Sequence, residues 1–184
     1  MKREETAIDK IANDWVRQLA KRSPSYATYL GFPGGEKAVD DFSPDALEQD
    51  RQDYADLILR LQPEEPVDEV DRVTKEAMIA DADLSIRTYD SGLLFRNMNN
   101  IASPAQDIRD IFDLSPTETV EHWGNLEARM SKVPQALAGY IESLRVGIKN
   151  GDTPPKRQVE EIITQAAQID SREGFFREFS KAEG

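Results

Sequence analysis

The amino-acid sequence predicts an all-α protein, an irregular multi-helix bundle of about seven or eight helices. Three observations predict it. Apolar residues recur every three or four positions through most of the chain, and a Ser-Pro pair precedes such a pattern at Ser23, Ser43, Ser103 and Ser115. No segment alternates apolar and polar residues long enough to form a strand.

In the first helix Ile8, Ile11, Trp15 and Leu19 form one stripe, and Thr6 with Asp9 resembles a capping box at its start. Ser23-Pro24 opens a short second helix that Gly31 ends, followed by the Phe32-Pro33-Gly34-Gly35 loop. Ser43-Pro44-Asp45 opens a third, carrying Leu47, Tyr54, Leu57, Ile58 and Leu61, with Asp50 as a polar intruder. A long helix over Glu69 to Ser91 follows, with Val70, Val73, Ala77, Ala80, Leu84 and Arg87 in its stripe and Gly92 as its stop.

Leu93 to Ala102 fits neither helical nor strand period, and its three asparagines favour turns. It reads as an irregular, half-buried connection. Ser103-Pro104-Ala105-Gln106 restarts a helix whose buried face is Ile108, Ile111 and Phe112. Ser115-Pro116 is the next predicted start, with Val120, Trp123, Leu126 and Met130 behind it. Pro134 opens a helix carrying Leu137, Ile141, Leu144 and Ile148 up to Asn150-Gly151. Thr153-Pro154-Pro155 introduces the last long one, with Val159, Ile162, Ile163, Ala166 and Ile169 in line. The tail Phe175-Phe176-Arg177-Glu178-Phe179 is aromatic and then charged.

Composition narrows the chemistry. With 184 residues the chain is expected to form a single domain over residues 1–184. Its 35 acidic and 23 basic residues leave a formal charge of −12, which argues against nucleic acid and against anionic membrane surfaces as partners. There is no cysteine and one histidine, so thiolate metal sites, disulfides, a cysteine nucleophile and an H-E-x-x-H helix are excluded within these residues. A hydrophobic share of 39% with a mean hydropathy of −0.62 predicts a thin core. Without a signal-peptide pattern or a long apolar run, a cytoplasmic location is expected.

The polar residues offer few sites. His122 lies off its helix's apolar stripe, four residues after Glu118, and reads as a surface histidine with a weak i,i+4 contact. Asp107, Asp110 and Asp113, like Asp81, Asp83 and Asp90, read as solvated helix faces. An EF-hand at Asp81 fails because Ile86 stands at the turn glycine and Gly92 at the bidentate glutamate. Trp15 and Trp123 are in register with their stripes and read as core. No glycine pattern of a nucleotide cradle and no Gly-x-Ser-x-Gly elbow occurs.

Three stretches nevertheless resemble a known family: Ser23-Pro24-Ser25-Tyr26-Ala27-Thr28-Tyr29-Leu30-Gly31, Asn100-Ile101-Ala102-Ser103-Pro104-Ala105-Gln106-Asp107-Ile108-Arg109, and Arg129-Met130-Ser131-Lys132-Val133-Pro134-Gln135-Ala136-Leu137 with its continuation from Leu144 to Gly151. They resemble the N-terminal helical region of the bacterial "domain of unknown function 885" proteins, a family similar to gluzincin-type zinc metallopeptidases. The resemblance implies that residues 1–184 are the N-terminal part of a longer metallopeptidase-like protein. It also implies that zinc belongs to a full-length member, whose H-E-x-x-H helix would lie further along. No cofactor is expected in this chain and no zinc ligand carries over to it. The expected role is a helical lid or cleft wall, catalytically inactive alone, whose partner is the missing C-terminal catalytic part or a second copy, and whose ligand is a peptide substrate. Phe95, Asn97, Asn99, Asn100 and Gln106 are the candidate cleft or docking residues. The alternative is an independent helical protein-interaction module with no enzymatic role.

Overall fold

The computed structural model describes residues 3–179 and 181. Among them the chain is all-α, as the periodicity predicts. Its helices are α1 (Ala7–Arg22), α2 (Pro24–Leu30), α3 (Pro44–Leu61), α4 (Glu69–Asp90), α5 (Pro104–Asp110), α6 (Val120–Met130), α7 (Val133–Asn150), α8 (Lys156–Ile169) and the short α9 (Phe175–Phe179), with a 3-10 turn at Leu93–Arg96. The aromatic tail supplies α9, where Phe175, Phe176 and Phe179 pack against Ile111, Phe112 and Leu126.

Two apolar clusters hold the molecule. Helices α1, α3 and α4 contribute Ile8, Ile11, Trp15, Leu57, Leu61 and Ala82, with Trp15 tilted against Tyr54 at 5.0 Å between ring centroids. Asp50, the intruder on α3, has a counter-ion in Arg22, which also engages the buried Asp53. The second cluster joins the turn after α5 to α6 and α9 around Phe112, whose ring meets Phe176 edge-on at 5.3 Å. The Thr6 capping box forms as predicted, with Asp9 N–H donating to Thr6 Oγ1 at 3.1 Å and Thr6 N–H to Asp9 Oδ2 at 2.9 Å.

Several stripes do not bury the face the sequence predicts. On α4 the buried residues are Asp71 and Ala82, with Met78 and Ile79 partly covered, while Val70, Val73 and Leu84 are exposed. The helix is turned by Asp71, which accepts from Arg3, from Thr6 Oγ1 at 2.8 Å and from Val67 N–H at 3.0 Å, so a carboxylate takes a place expected for valine. On α7 the buried positions are Ala136, Tyr140, Ser143 and Gly147, and Leu137, Ile141 and Ile148 are exposed. Apart from Tyr140 that face carries small residues, and backbone packs closely on it. A Cβ on Gly147 would lie 2.2 Å from the Phe95 carbonyl oxygen, and one on Gly139 would lie 3.1 Å from Ser43 N. Helix α8 buries none of its residues.

The helix expected at Ser115-Pro116 starts at Val120 instead, and Val120 itself is exposed. Ser115 cannot cap because its hydroxyl donates to the Ile111 carbonyl at 2.7 Å and accepts from Arg129 at 2.5 Å. Thr119 caps in its place, accepting from His122 N–H at 3.1 Å. Arg129 is only 1% exposed. Its guanidinium also donates to Ala38 O at 2.9 Å, Gly35 O at 2.8 Å and Thr28 Oγ1 at 3.1 Å, tying α2 and the following loop to α6.

The N-terminal clamp gives the fold a definite acid response. Arg3 donates to Asp68 at 2.5 Å and also to Asp9 and Asp71. Its hydrogen bonds hold Asp9 down to about 2 and Asp68 below the usual carboxylate range. A carboxylate whose folded pKa is depressed stabilises the fold above its unfolded value of about 4, and that contribution is lost as pH falls toward the folded value. The Arg3→Ala variant is therefore expected to melt below the parent at pH 7, with the gap closing between pH 4 and 2 in thermal scans monitored by circular dichroism.

Candidate functional site

A groove of about 740 Å³ lies between the α3–α4 pair and the side formed by α5 and α7. Its walls carry Asp40, Asp41 and Phe42 from the α2–α3 connection, Tyr26 and Tyr54 from α2 and α3, Tyr89 from α4, Asp107 from α5, and Tyr140 and Ser143 from α7.

Local sequence fixes each group. Asp40 sits at the start of α2, accepting from Ser25 N–H and from Ser23 Oγ, both at 3.0 Å, where a carboxylate suits the positive helix end. Asp41 accepts from Ser43 N–H at 2.9 Å in the turn that leads into α3. Gly139 and Ser143 let this segment lie on α7, with Ser143 Oγ donating to Phe42 O at 2.6 Å. Helix α5 is started by Ser103-Pro104, where Ser103 N–H donates to Gln106 Oε1 at 3.0 Å, and this brings Asp107 to the groove one position later.

The charges are not balanced evenly. Arg22 is taken up by Asp50 and Asp53, and Arg51 by Asp90 at 2.7 Å. Among the described residues Asp40, Asp41 and Asp107 form no direct ion pair, and Asp107 accepts no hydrogen bond, while the Arg129 guanidinium lies within electrostatic reach of Asp40. Its carboxyl is pushed up by burial and by the charges of Asp40 and Asp110. Burial likewise pushes up the phenol of Tyr140, which donates to Asn97 O at 2.7 Å. Tyr89 rises to about 12 through burial and its hydrogen bond to Glu48.

The five candidate residues read from the sequence fall in different places. Phe95 is 7% exposed and packs edge-on against Tyr89 at 5.5 Å. Asn97 lines the groove. Asn99 closes a turn, accepting from Ile101 N–H at 2.9 Å and Ala102 N–H at 2.7 Å. Asn100 and Gln106 join the connection to α8. Asn100 N–H donates to Gln158 Oε1 at 2.8 Å, Gln165 Nε2 to Asn100 O at 3.0 Å, and Gln106 Nε2 to Gln165 Oε1 at 2.7 Å. The connection itself begins as the 3-10 turn, and Ile101 in it is 82% exposed.

Gln106 also borders a second cavity, of about 760 Å³, between α5, α7, α8 and α9. Its walls are mainly apolar, with Ile108, Leu137, Ile162, Ala166, Ile169 and Phe175 among them. Of the predicted stripes, Leu137 on α7 and Ile162, Ala166 and Ile169 on α8 border this space.

His122 is partly buried, with Nδ1 3.0 Å from Glu118 Oε2, the predicted i,i+4 contact. Among the described residues no three His, Asp or Glu side chains group to hold a metal ion, so the zinc implied by the resemblance does not fit this chain's own residues. No described helix is long and apolar enough to cross a membrane.

Sequence reasoning missed Asp40, Tyr140 and Arg129. Asp107, read from the sequence as part of a solvated helix face, is exposed and borders the groove. In the run Asp107-x-x-Asp110-x-x-Asp113 the structure pairs Arg109 with Asp110 at 2.8 Å and with Asp113 at 2.5 Å, and not with Asp107.

No curated protein matches the chain. Residues 24–183 match the family model described as bacterial protein of unknown function (DUF885). That match spans most of the sequence and includes α2 to α9, most of the groove and the apolar cavity. The chain belongs to this bacterial family.

Proposed function

We propose that the chain is a non-catalytic helical wall of a zinc metallopeptidase-like protein, docked through α7 and α8 onto a C-terminal part that supplies the metal and general base. The observation that carries this reading is a group of apolar residues, Leu137 and Val133 on α7 with Ile162, Ala166 and Ile169 on α8, lining a cavity of about 760 Å³. Helices of this amphipathicity are stabilised chiefly by packing their apolar face. A contiguous apolar surface left open marks an interaction site. A wall of this kind restricts access and excludes water while the other part breaks the bond.

Two measurements test it. Reading the coding sequence past Gly184 is expected to show an in-frame continuation carrying H-E-x-x-H, and a stop codon there contradicts the proposal in favour of an independent interaction module. Residues 1–184 assayed with zinc on a peptide library are expected to give no turnover above buffer. Turnover removed by a chelator would place the chemistry in this chain and overturn the reading.

A further inference from the structure

We infer that α8 is a strap poised to close over the apolar cavity of about 760 Å³, held off α5 and α7 by a joint of side-chain amides. The helix has 14 residues and buries none of them. Helices of that length are marginal in water until an apolar face is packed. On its half-buried face Ile162 and Ile169 line the cavity, with Ala166 beside them and with Ile108 of α5 and Val133 and Leu137 of α7 on the other walls. Packed interiors leave few voids larger than a water molecule, so a space of this size means that the apolar sides do not meet.

Both ends of α8 are tethered. Before it, Gly151 takes a left-handed turn, Asp152 N–H donates to Gly147 O at 2.9 Å, and Pro154-Pro155 lead into the helix. After it, α9 is pinned by the packing of Phe175, Phe176 and Phe179 on Phe112. Between these tethers α8 meets the body at Asn100 and Gln106. Gln158 Oε1 accepts from Asn100 N–H at 2.8 Å, Gln165 Nε2 donates to Asn100 O at 3.0 Å, and Gln165 Oε1 accepts from Gln106 Nε2 at 2.7 Å. Neutral hydrogen bonds at half-exposed groups contribute little net stability, because water replaces them when they break. Closure gives up the bonds at Gln165 and buries Ile162, Ala166 and Ile169 against Ile108, Val133 and Leu137. Access to the cavity is then set by the joint. The inference goes beyond the docking reading and needs no residue outside this chain.

The chain has no cysteine, so spin labels can be placed on introduced thiols without competition. Ala138→Cys on α7 and Ala167→Cys on α8, both at exposed positions, carry the labels, and pulsed electron paramagnetic resonance reads their separation. The 184-residue chain is expected to give one main distance and a shorter minor one. Gln165→Leu removes two bonds of the joint and is expected to raise the shorter population at least about fivefold. Gln168→Leu puts the same side chain on the cavity wall without touching the joint, and is expected to change that population less than about twofold. Hydrogen exchange of the unlabelled parent is a second readout, with α8 amides expected to exchange at least about a hundredfold faster than those of α7. A single distance that neither variant moves, a longer and broader distribution in Gln165→Leu, equal responses of the two variants, or α8 amides as protected as those of α7 would each overturn the strap.

Discussion

Arg129→Met is expected to destabilise the fold by about 3 kcal/mol or more, lowering the melting temperature by about 6–12 °C in a thermal scan. The buried guanidinium donates to two main-chain carbonyls, Gly35 at 2.8 Å and Ala38 at 2.9 Å, and to the hydroxyls of Ser115 and Thr28. Methionine matches much of its volume but donates nothing, so buried acceptors lose their partners and the loop after α2 loses its anchor. Burial pushes the pKa of Arg129 down, with Glu36 and Asp40 opposing that, yet arginine stays charged at any working pH. Arg129→Lys keeps the charge but not the planar fork that reaches four acceptors, and is expected to lie between the two. If Arg129→Met melts within 2 °C of the parent, the anchoring role is wrong.

Gly147→Ala is expected to cost about 2–3 kcal/mol, against the gain of about 1 kcal/mol that alanine brings to an exposed helix position. The added Cβ would stand 2.2 Å from Phe95 O and 2.8 Å from Asp152 O, both main-chain atoms that cannot rotate aside. The chain must move the 3-10 turn off α7, and with it Asn97, whose carbonyl accepts from Tyr140 at 2.7 Å. Tyrosine fluorescence should change together with stability. Gly124→Ala serves as the control, because nothing lies within 4 Å of its Cβ position, and it is expected to stabilise or leave the melting point unchanged.

Much of the fold was legible because helix starts are local. Ser23, Ser43 and Thr6 cap as read, since a short side-chain oxygen before a helical run needs no distant partner to act. Ser115 failed for the opposite reason. A guanidinium 14 residues later in the chain claims its hydroxyl, and nothing near Ser115 announces that. Helical facing failed on α4 and α7 for a related reason. Periodicity places the apolar side inward, but Asp71 is drawn in by Arg3, and Gly147 and Ser143 let backbone approach more closely than leucine would.

The groove was less legible than the fold. Asp40, Asp107 and Tyr140 come from three separate elements, and only the fold brings them to one space. The asparagine-rich connection drew notice for its composition, and the structure uses it partly as a joint to Gln158 and Gln165 of α8.

Hydrophobic-dye fluorescence of the isolated chain tests the uncovered α7–α8 surface most directly. The parent is expected to take up dye while retaining full helical circular dichroism, and Leu137→Gln with Ile162→Gln to remove most of that uptake while shifting the melting point by no more than a few degrees. A parent that sediments as a clean monomer with negligible dye uptake would contradict an exposed docking face.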